Sequence, residues 1–180
     1  MNLIFIKQKA YPSKSCKNLI EYFETNLDKA SPGKMGPHSL ENLEIDLNLT
    51  SPDSYFDLGK TLEDGCKDFL KEYPIYDKYI CKWNLNANCQ LCRFKPSKHY
   101  SKIHCENDGD PQYLNRVFAW MIYLNDIEDG GETEFLLQNT KIKAEEGKLL
   151  IWPAGASHMH RGVVSESTTK YFLTGWFCYF

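Results

Sequence analysis

A chain of 180 residues is long enough to bury one sizeable core, and 42% apolar residues with 14% aromatics make a globular composition with a heavy aromatic share. A formal charge of −3, with no basic stripe interleaved with aromatics, argues against nucleic acid or an acidic membrane surface as the main partner. Seven cysteines at irregular spacing do not read as a disulfide framework and point to a reducing, cytoplasmic compartment.

In chain order, Leu3–Ile6 is apolar but broken at once by Lys7 and Lys9, too short for a signal-peptide core, and predicts a first strand. Residues 14–29 carry Leu19, Ile20, Phe23 and Leu27 at helical spacing, with Ser13 or Ser15 able to cap the start. Ser31-Pro32-Gly33 and Gly36-Pro37 mark a loop over residues 30–42. Leu43, Ile45, Leu47 and Leu49 alternate as a strand. Ser51-Pro52 signals a second helix carrying Tyr55, Phe56, Leu62, Cys66, Phe69, Leu70 and Tyr73 and ending near Pro74. No stretch of about 18 apolar residues exists, so no membrane span is expected.

From residue 80 the pattern changes to short strands and turns. Trp83 to Leu91 alternates, and Val117 to Leu124 is a continuous apolar run suited to a strand buried on both faces. Asp129-Gly130-Gly131 is a turn, Lys148 to Trp152 a strand stopped by Pro153, and Tyr171 to Phe180 a terminal aromatic strand. Two or three helices followed by seven or eight strands predict a mainly β double-sheet roll buttressed by N-terminal α-helices. We expect one domain over 1–180, with residues 1–79 as helical and strand support and 80–180 as the roll itself.

Five histidines are present: His38, His99, His104, His158 and His160. In His104-Cys105-Glu106 the imidazole and the carboxylate sit at i and i+2, so on a strand both leave from one face. A second histidine from a distant strand would complete two His and one carboxylate on one side of an ion. That facial set leaves positions open for a cosubstrate and O2 on Fe(II). Taken alone a His-x-Glu is more often a solvated pair, and His158 or His160 a core or surface histidine. They share strand parity, and either can face a metal.

Lys170 lies ten residues after His160 in the otherwise apolar run Tyr171 to Trp176. A lysine buried there needs an anion, and Lys170, Phe172, Thr174 and Trp176 share parity, so ammonium and hydroxyl face one interior and can hold a distal carboxylate. The plainer alternative is an edge lysine with its head in water. Trp120, Trp152 and Trp176 read as packing. Cys89 and Cys92 form a Cys-x-x-Cys without a second pair at zinc spacing and read as buried thiols. Arg161 can reach an anionic substrate group or pair on the surface, and the surface pair is the preferred reading.

The stretch from Tyr100 to Trp176 resembles the prolyl 4-hydroxylase-like branch of the Fe(II)/2-oxoglutarate-dependent dioxygenases. The matching pieces are His104-Cys105-Glu106, Arg116, Tyr123-Leu124-Asn125, Gly130 to Phe135, Gly147 to Pro153, His160-Arg161-Gly162, and Lys170-Tyr171 with Thr174 and Trp176. The resemblance implies a double-stranded β-helix, or jelly roll, and an iron held by His104, Glu106 and His160. His160 is preferred to His158 because the family's ligand-to-lysine interval fits it. Lys170 would bind the C5 carboxylate of 2-oxoglutarate, with Tyr123 and Thr174 as further contacts. It further implies a hydroxylase that consumes O2, releases succinate and CO2, and has ascorbate (vitamin C) as an accessory. The substrate would be a peptide side chain or a small molecule; oligomeric state is not legible. Two departures stand out: Glu106 where the family usually has Asp, and Phe94 near a position where relatives often have Tyr. The rivals are a catalytically inert binding roll and a different metal enzyme on the same architecture. Substrate-selecting loops are expected at residues 30–42 and 107–115, the latter acidic, which favours a cationic or neutral partner.

Overall fold

The computed structural model describes residues 2–32, 42–49, 57–98 and 102–180. Each long helix is defined by one apolar stripe. Helix α1 (Ser13–Thr25) buries Cys16, Leu19 and Phe23. It starts directly after Pro12 and no side chain caps it: Ser13 opens the helix and Ser15 already lies inside the first turn, so neither serves as the cap expected of them. Its last carbonyls are met by side chains, Thr25 Oγ1 donating to Glu21 O (2.8 Å) and Asn26 Nδ2 to Tyr22 O (2.8 Å). Helix α2 (Leu58–Glu72) buries Leu58, Leu62, Gly65 and Phe69 and stops short of Pro74; the short α3 (Ile75–Lys78) follows. The Ser51-Pro52 signal, Tyr55 and Phe56 lie outside the described residues.

The strands are β1 (Phe5–Lys7), β2 (Ser31–Pro32), β3 (Asn42–Asn48), β4 (Trp83–Phe94), β5 (Arg116–Tyr123), β6 (Thr133–Phe135), β7 (Thr140–Ile142), β8 (Leu149–Pro153), β9 (His160–Gly162) and β10 (Lys170–Tyr179). Ser31-Pro32, expected in a loop, instead pairs with Leu43 and Glu44 of β3, which begins at Asn42; residues 33–41 of that loop are outside the described residues. The larger sheet runs β1-β8-β5-β10-β4-β3-β2 and the smaller β7-β6-β9, with every pairing antiparallel. Three strands from the first fifty residues therefore belong to the same sheet as the C-terminal strand.

The middle of the larger sheet, β8-β5-β10, carries apolar side chains on both faces, and each face has its own core. Odd positions of β10 and even positions of β5 (Leu173, Phe177; Phe118, Trp120, Ile122) join α1 and α2 through Leu19, Phe23, Leu62 and Phe69. The opposite face, with Ala119, Met121, Tyr123, Leu150, Trp152 and Phe172, packs against Phe135 and Ile142 of the smaller sheet. That inter-sheet space is the interior of the roll, and its open end carries the site. Burying each such side chain is worth roughly 1.5–3 kcal/mol.

Gly175 of β10 lies directly across from Trp120, and a Cβ there would come 2.5 Å from the buried indole. Trp120 is fully buried, so Gly175→Ala is expected to cost about 1–3 kcal/mol in urea or thermal melts.

Candidate metal centre

His160 opens β9 at the edge of the smaller sheet. His104 extends that edge by a single residue: His104 N donates to His160 O (3.0 Å) and His160 N to His104 O (2.9 Å). The strand expected through His104-Cys105-Glu106 thus shrinks to one bridge, because Glu106 already belongs to the following loop. That loop is pinned by its neighbour: Asn107 N donates to Ala154 O (2.9 Å), and Asn107 Nδ2 to Leu114 O and Arg116 O (both 3.1 Å).

The bridge sets the two imidazoles side by side, tilted by 54° with ring centroids 4.3 Å apart. His104 Nδ1 lies 2.9 Å from Lys102 O and His160 Nδ1 2.9 Å from His158 O. A carbonyl only accepts, so each Nδ1 carries a proton and, in the neutral ring, each Nε2 presents its lone pair. Both Nε2 atoms point at one oxygen, Glu106 Oε1, at 3.5 Å from His104 and 3.4 Å from His160. Lone pairs facing a carboxylate oxygen at that range repel unless a cation lies among them, so the donor set fits a divalent metal such as ferrous ion. All three ligand atoms lie within 4.8 Å of one another. Burial of Glu106 opposes its ionisation; when the two rings are protonated at Nε2 as well as Nδ1, their hydrogen bonds and charge outweigh this and hold its carboxyl well below the usual range.

The other carboxylate oxygen, Oε2, accepts the Trp176 Nε1–H at 2.7 Å and lies 3.5 Å from Arg116 Nη1. Trp176, expected only to pack, thus touches a site residue through its polar edge. Arg116 was part of the family pattern but had no assigned role. The sequence signal for Trp176 is parity, since it shares the interior face with Lys170; none points to a role for Arg116.

Lys170 is 6% exposed on β10, a central strand rather than an edge. Its Nζ sits over the rings of Tyr123 (5.0 Å) and Phe172 (5.1 Å), with no hydrogen-bond acceptor among the described residues. Burial therefore pushes the ammonium down to about 8, despite opposing charge from Cys92 and Glu132. Phe94 lies directly across the strand pair from Lys170 and packs edge-on against Phe172 at 5.0 Å, closing the pocket with an apolar ring. The Tyr123 hydroxyl is engaged with Thr133 Oγ1 (2.7 Å), and Thr174 Oγ1 donates to Trp120 O (3.1 Å), so both expected cosubstrate contacts line this interior with their hydroxyls already partnered.

His158 lies on a turn of 3-10 helix over Ala156–His158, not on β9. It reaches the site through its carbonyl, which orients His160, while its own Nδ1 pairs with Ser157 Oγ (2.9 Å). Burial, then the neighbouring His160, pushes its imidazole down to about 4. Arg161 pairs with Glu134 (2.7 Å). Cys89 and Cys92 are buried free thiols outside the only three-ligand group among the described residues. His38 and His99 lie outside those residues.

A cleft of about 520 Å³ leads to the centre, lined by Glu44, Asp46, Gln90, Asp108, Tyr113 and Trp176 beside the His104–Glu106 pair. Among the described residues no helix is long and apolar enough to cross a membrane.

Residues 89–178 match the family of the 2OG-Fe(II) oxygenase superfamily, and the chain belongs to it. It is accordingly a 2-oxoglutarate-dependent dioxygenase using Fe(II). The fold is similar to that of a viral collagen prolyl hydroxylase from Paramecium Bursaria Chlorella virus-1 solved with 2OG. That match has TM-score 0.72 and 19% identity, covering 99% of this chain and 97% of that one. A Pseudomonas putida prolyl-4-hydroxylase matches at TM-score 0.71 and 15% identity, over 98% and 92%. A Trichoplax adhaerens prolyl hydroxylase, solved with a hypoxia inducible factor oxygen degradation domain peptide fragment, matches at 0.72 and 14%, over 99% and 84%. These likenesses establish the jelly roll. No curated protein matches the chain by sequence.

Proposed function

We propose that this chain hydroxylates a peptide or protein side chain in the manner of a prolyl 4-hydroxylase, with His104, Glu106 and His160 holding the iron and Lys170 anchoring 2-oxoglutarate. When bound, the metal and cosubstrate supply the oxidising chemistry, the cosubstrate leaving as succinate and CO2 and the substrate gaining a hydroxyl. The chain supplies geometry. Carbonyls of Lys102 and His158 fix the two rings, so their Nε2 atoms need no reorganisation to receive a cation. Lys170 offers a charge with no acceptor among the described residues, facing the same interior as Thr174 and Tyr123, and so sets the register of a dicarboxylate. Phe94, Phe172 and Tyr123 give that end apolar walls.

The observation that carries the reading is the convergence of two Nε2 atoms on one Glu106 oxygen. A peptide is favoured because the cleft is rimmed by exposed residues of the 107–115 loop and of β3, which leaves room for a chain to pass across the site. The Trichoplax neighbour, solved with a peptide fragment, supports the same class.

Loaded with Fe(II) and 2-oxoglutarate without oxygen, the protein is expected to show the visible charge-transfer band of the chelate. In air it should release succinate faster with a proline-containing peptide than without. No band and no succinate would leave an inert binding roll; succinate stimulated only by a free amino acid or small metabolite would replace the peptide.

A further inference from the structure

Two features of the site have no role in the reading above: the second oxygen of Glu106, and the wall that grips it. Arg116 is stacked between the Tyr113 ring (4.0 Å to centroid) and the Trp176 ring (3.6 Å), and its Nη1 donates to the Glu106 backbone carbonyl at 3.1 Å. Asn107 Nδ2 in turn holds the Arg116 carbonyl. The same wall therefore holds Glu106 by its backbone and, through the Trp176 N–H at 2.7 Å, by Oε2. Trp176 sits on β10 opposite Ala119 of β5, so the indole cannot follow a carboxylate that turns away.

A glutamate has one more side-chain torsion than an aspartate, and an unrestrained carboxylate can bring both oxygens to a cation. In a facial site that second oxygen would occupy a position the cosubstrate needs. Resting on the oxygenase reading, we propose that Trp176 is a positioning residue: its indole N–H, seated by the Arg116 stack, engages Oε2 so that Glu106 offers the metal a single oxygen and the neighbouring position stays available to 2-oxoglutarate. The arrangement also explains how a longer residue serves here, since the added methylene carries the carboxylate out to the indole.

The test is Trp176→Phe, which keeps a ring over Arg116 and removes only the donor. 2-Oxoglutarate is titrated into the Fe(II)-loaded protein without oxygen, followed by the charge-transfer band, and Co(II) binding is measured separately by its ligand-field absorption. The variant is expected to bind 2-oxoglutarate about tenfold more weakly or worse, to bind Co(II) no less tightly than wild type, and to show an altered Co(II) spectrum. Arg116→Met, which unseats the indole without touching the donor, should move both readouts the same way by less. In a Glu106→Asp background the shorter carboxylate has less contact to lose, so Trp176→Phe should have a smaller effect. Unchanged 2-oxoglutarate affinity and Co(II) spectrum in folded Trp176→Phe overturn the proposal. So does a parallel loss of Co(II) and 2-oxoglutarate binding, the mark of a packing role. A wild type that binds Co(II) but gives no band with 2-oxoglutarate removes the oxygenase reading instead, and the Co(II) spectra of wild type and variant still decide the clamp.

Discussion

Lys170→Met is expected to raise the melting temperature of the ligand-free protein while weakening 2-oxoglutarate binding by about two orders of magnitude. Both effects have one cause. Lys170 as a residue is 6% exposed, its ammonium lies over the Tyr123 and Phe172 rings with no acceptor in reach among the described residues, and the ligand-free protein bears its desolvation cost. Methionine has similar length and no charge, and should recover roughly 1–3 kcal/mol. The sign with pH follows from the folded value of about 8, below the ~10.4 of a free lysine. Below about pH 8 both folded and unfolded chains carry the proton and the penalty is fully present. Between about 8 and about 10 the unfolded chain holds the proton and the folded one has lost it, so this contribution to stability rises with pH. 2-Oxoglutarate needs the charged form, so its affinity should be flat below about pH 8 and fall by up to about tenfold per unit above it. Thermal melts and chelate-band titrations across that range check both, and Lys170→Met should show neither trend. A wild-type affinity indifferent to pH up to about 10 would remove Lys170 as the anchor.

How much of this was legible in the residues depended on whether local order or the fold decided it. The run from Val117 to Leu124 lacked alternation because β5 serves two cores, Phe118, Trp120 and Ile122 toward the helices and Met121 and Tyr123 toward the smaller sheet. The parity of Lys170, Phe172, Thr174 and Trp176 carried over, since β10 keeps an unbroken register with β5 from Phe172 to Trp176 and shifts against β4 only between Gly175 and Phe177. Parity misled at the histidines: His158 and His160 are two apart, but a 3-10 turn ends at His158 and breaks the alternation, so the His158 imidazole pairs with Ser157 while that of His160 reaches Glu106. The helix caps failed for a local reason, Pro12 fixing the start of α1 where Ser13 or Ser15 had been expected to act as cap. The Trp176–Glu106 contact was beyond any pattern, because it joins residues seventy apart through a loop whose path is set by Asn107 and Arg116.

The distinction between the two histidines carries the second large effect. His160→Ala is expected to abolish metal retention and lower turnover by about a thousandfold or more, because it removes one of three converging donors and nothing else among the described residues can reach Glu106 Oε1 in its place. His158→Ala should keep its metal and most of its activity. What His158 gives the site is a backbone carbonyl at 2.9 Å from His160 Nδ1, and alanine retains it. The lost imidazole is buried against Phe135, so the change should appear as stability, roughly 1–3 kcal/mol. Iron content after gel filtration, with a urea melt of each variant, separates the outcomes. If both variants emerge without iron while still folded, the His158 side chain is itself a ligand. If only His160→Ala does, the carbonyl of one histidine orients the ring of the other, and the short 3-10 turn between β8 and β9 is the element that aims the second imidazole at the carboxylate.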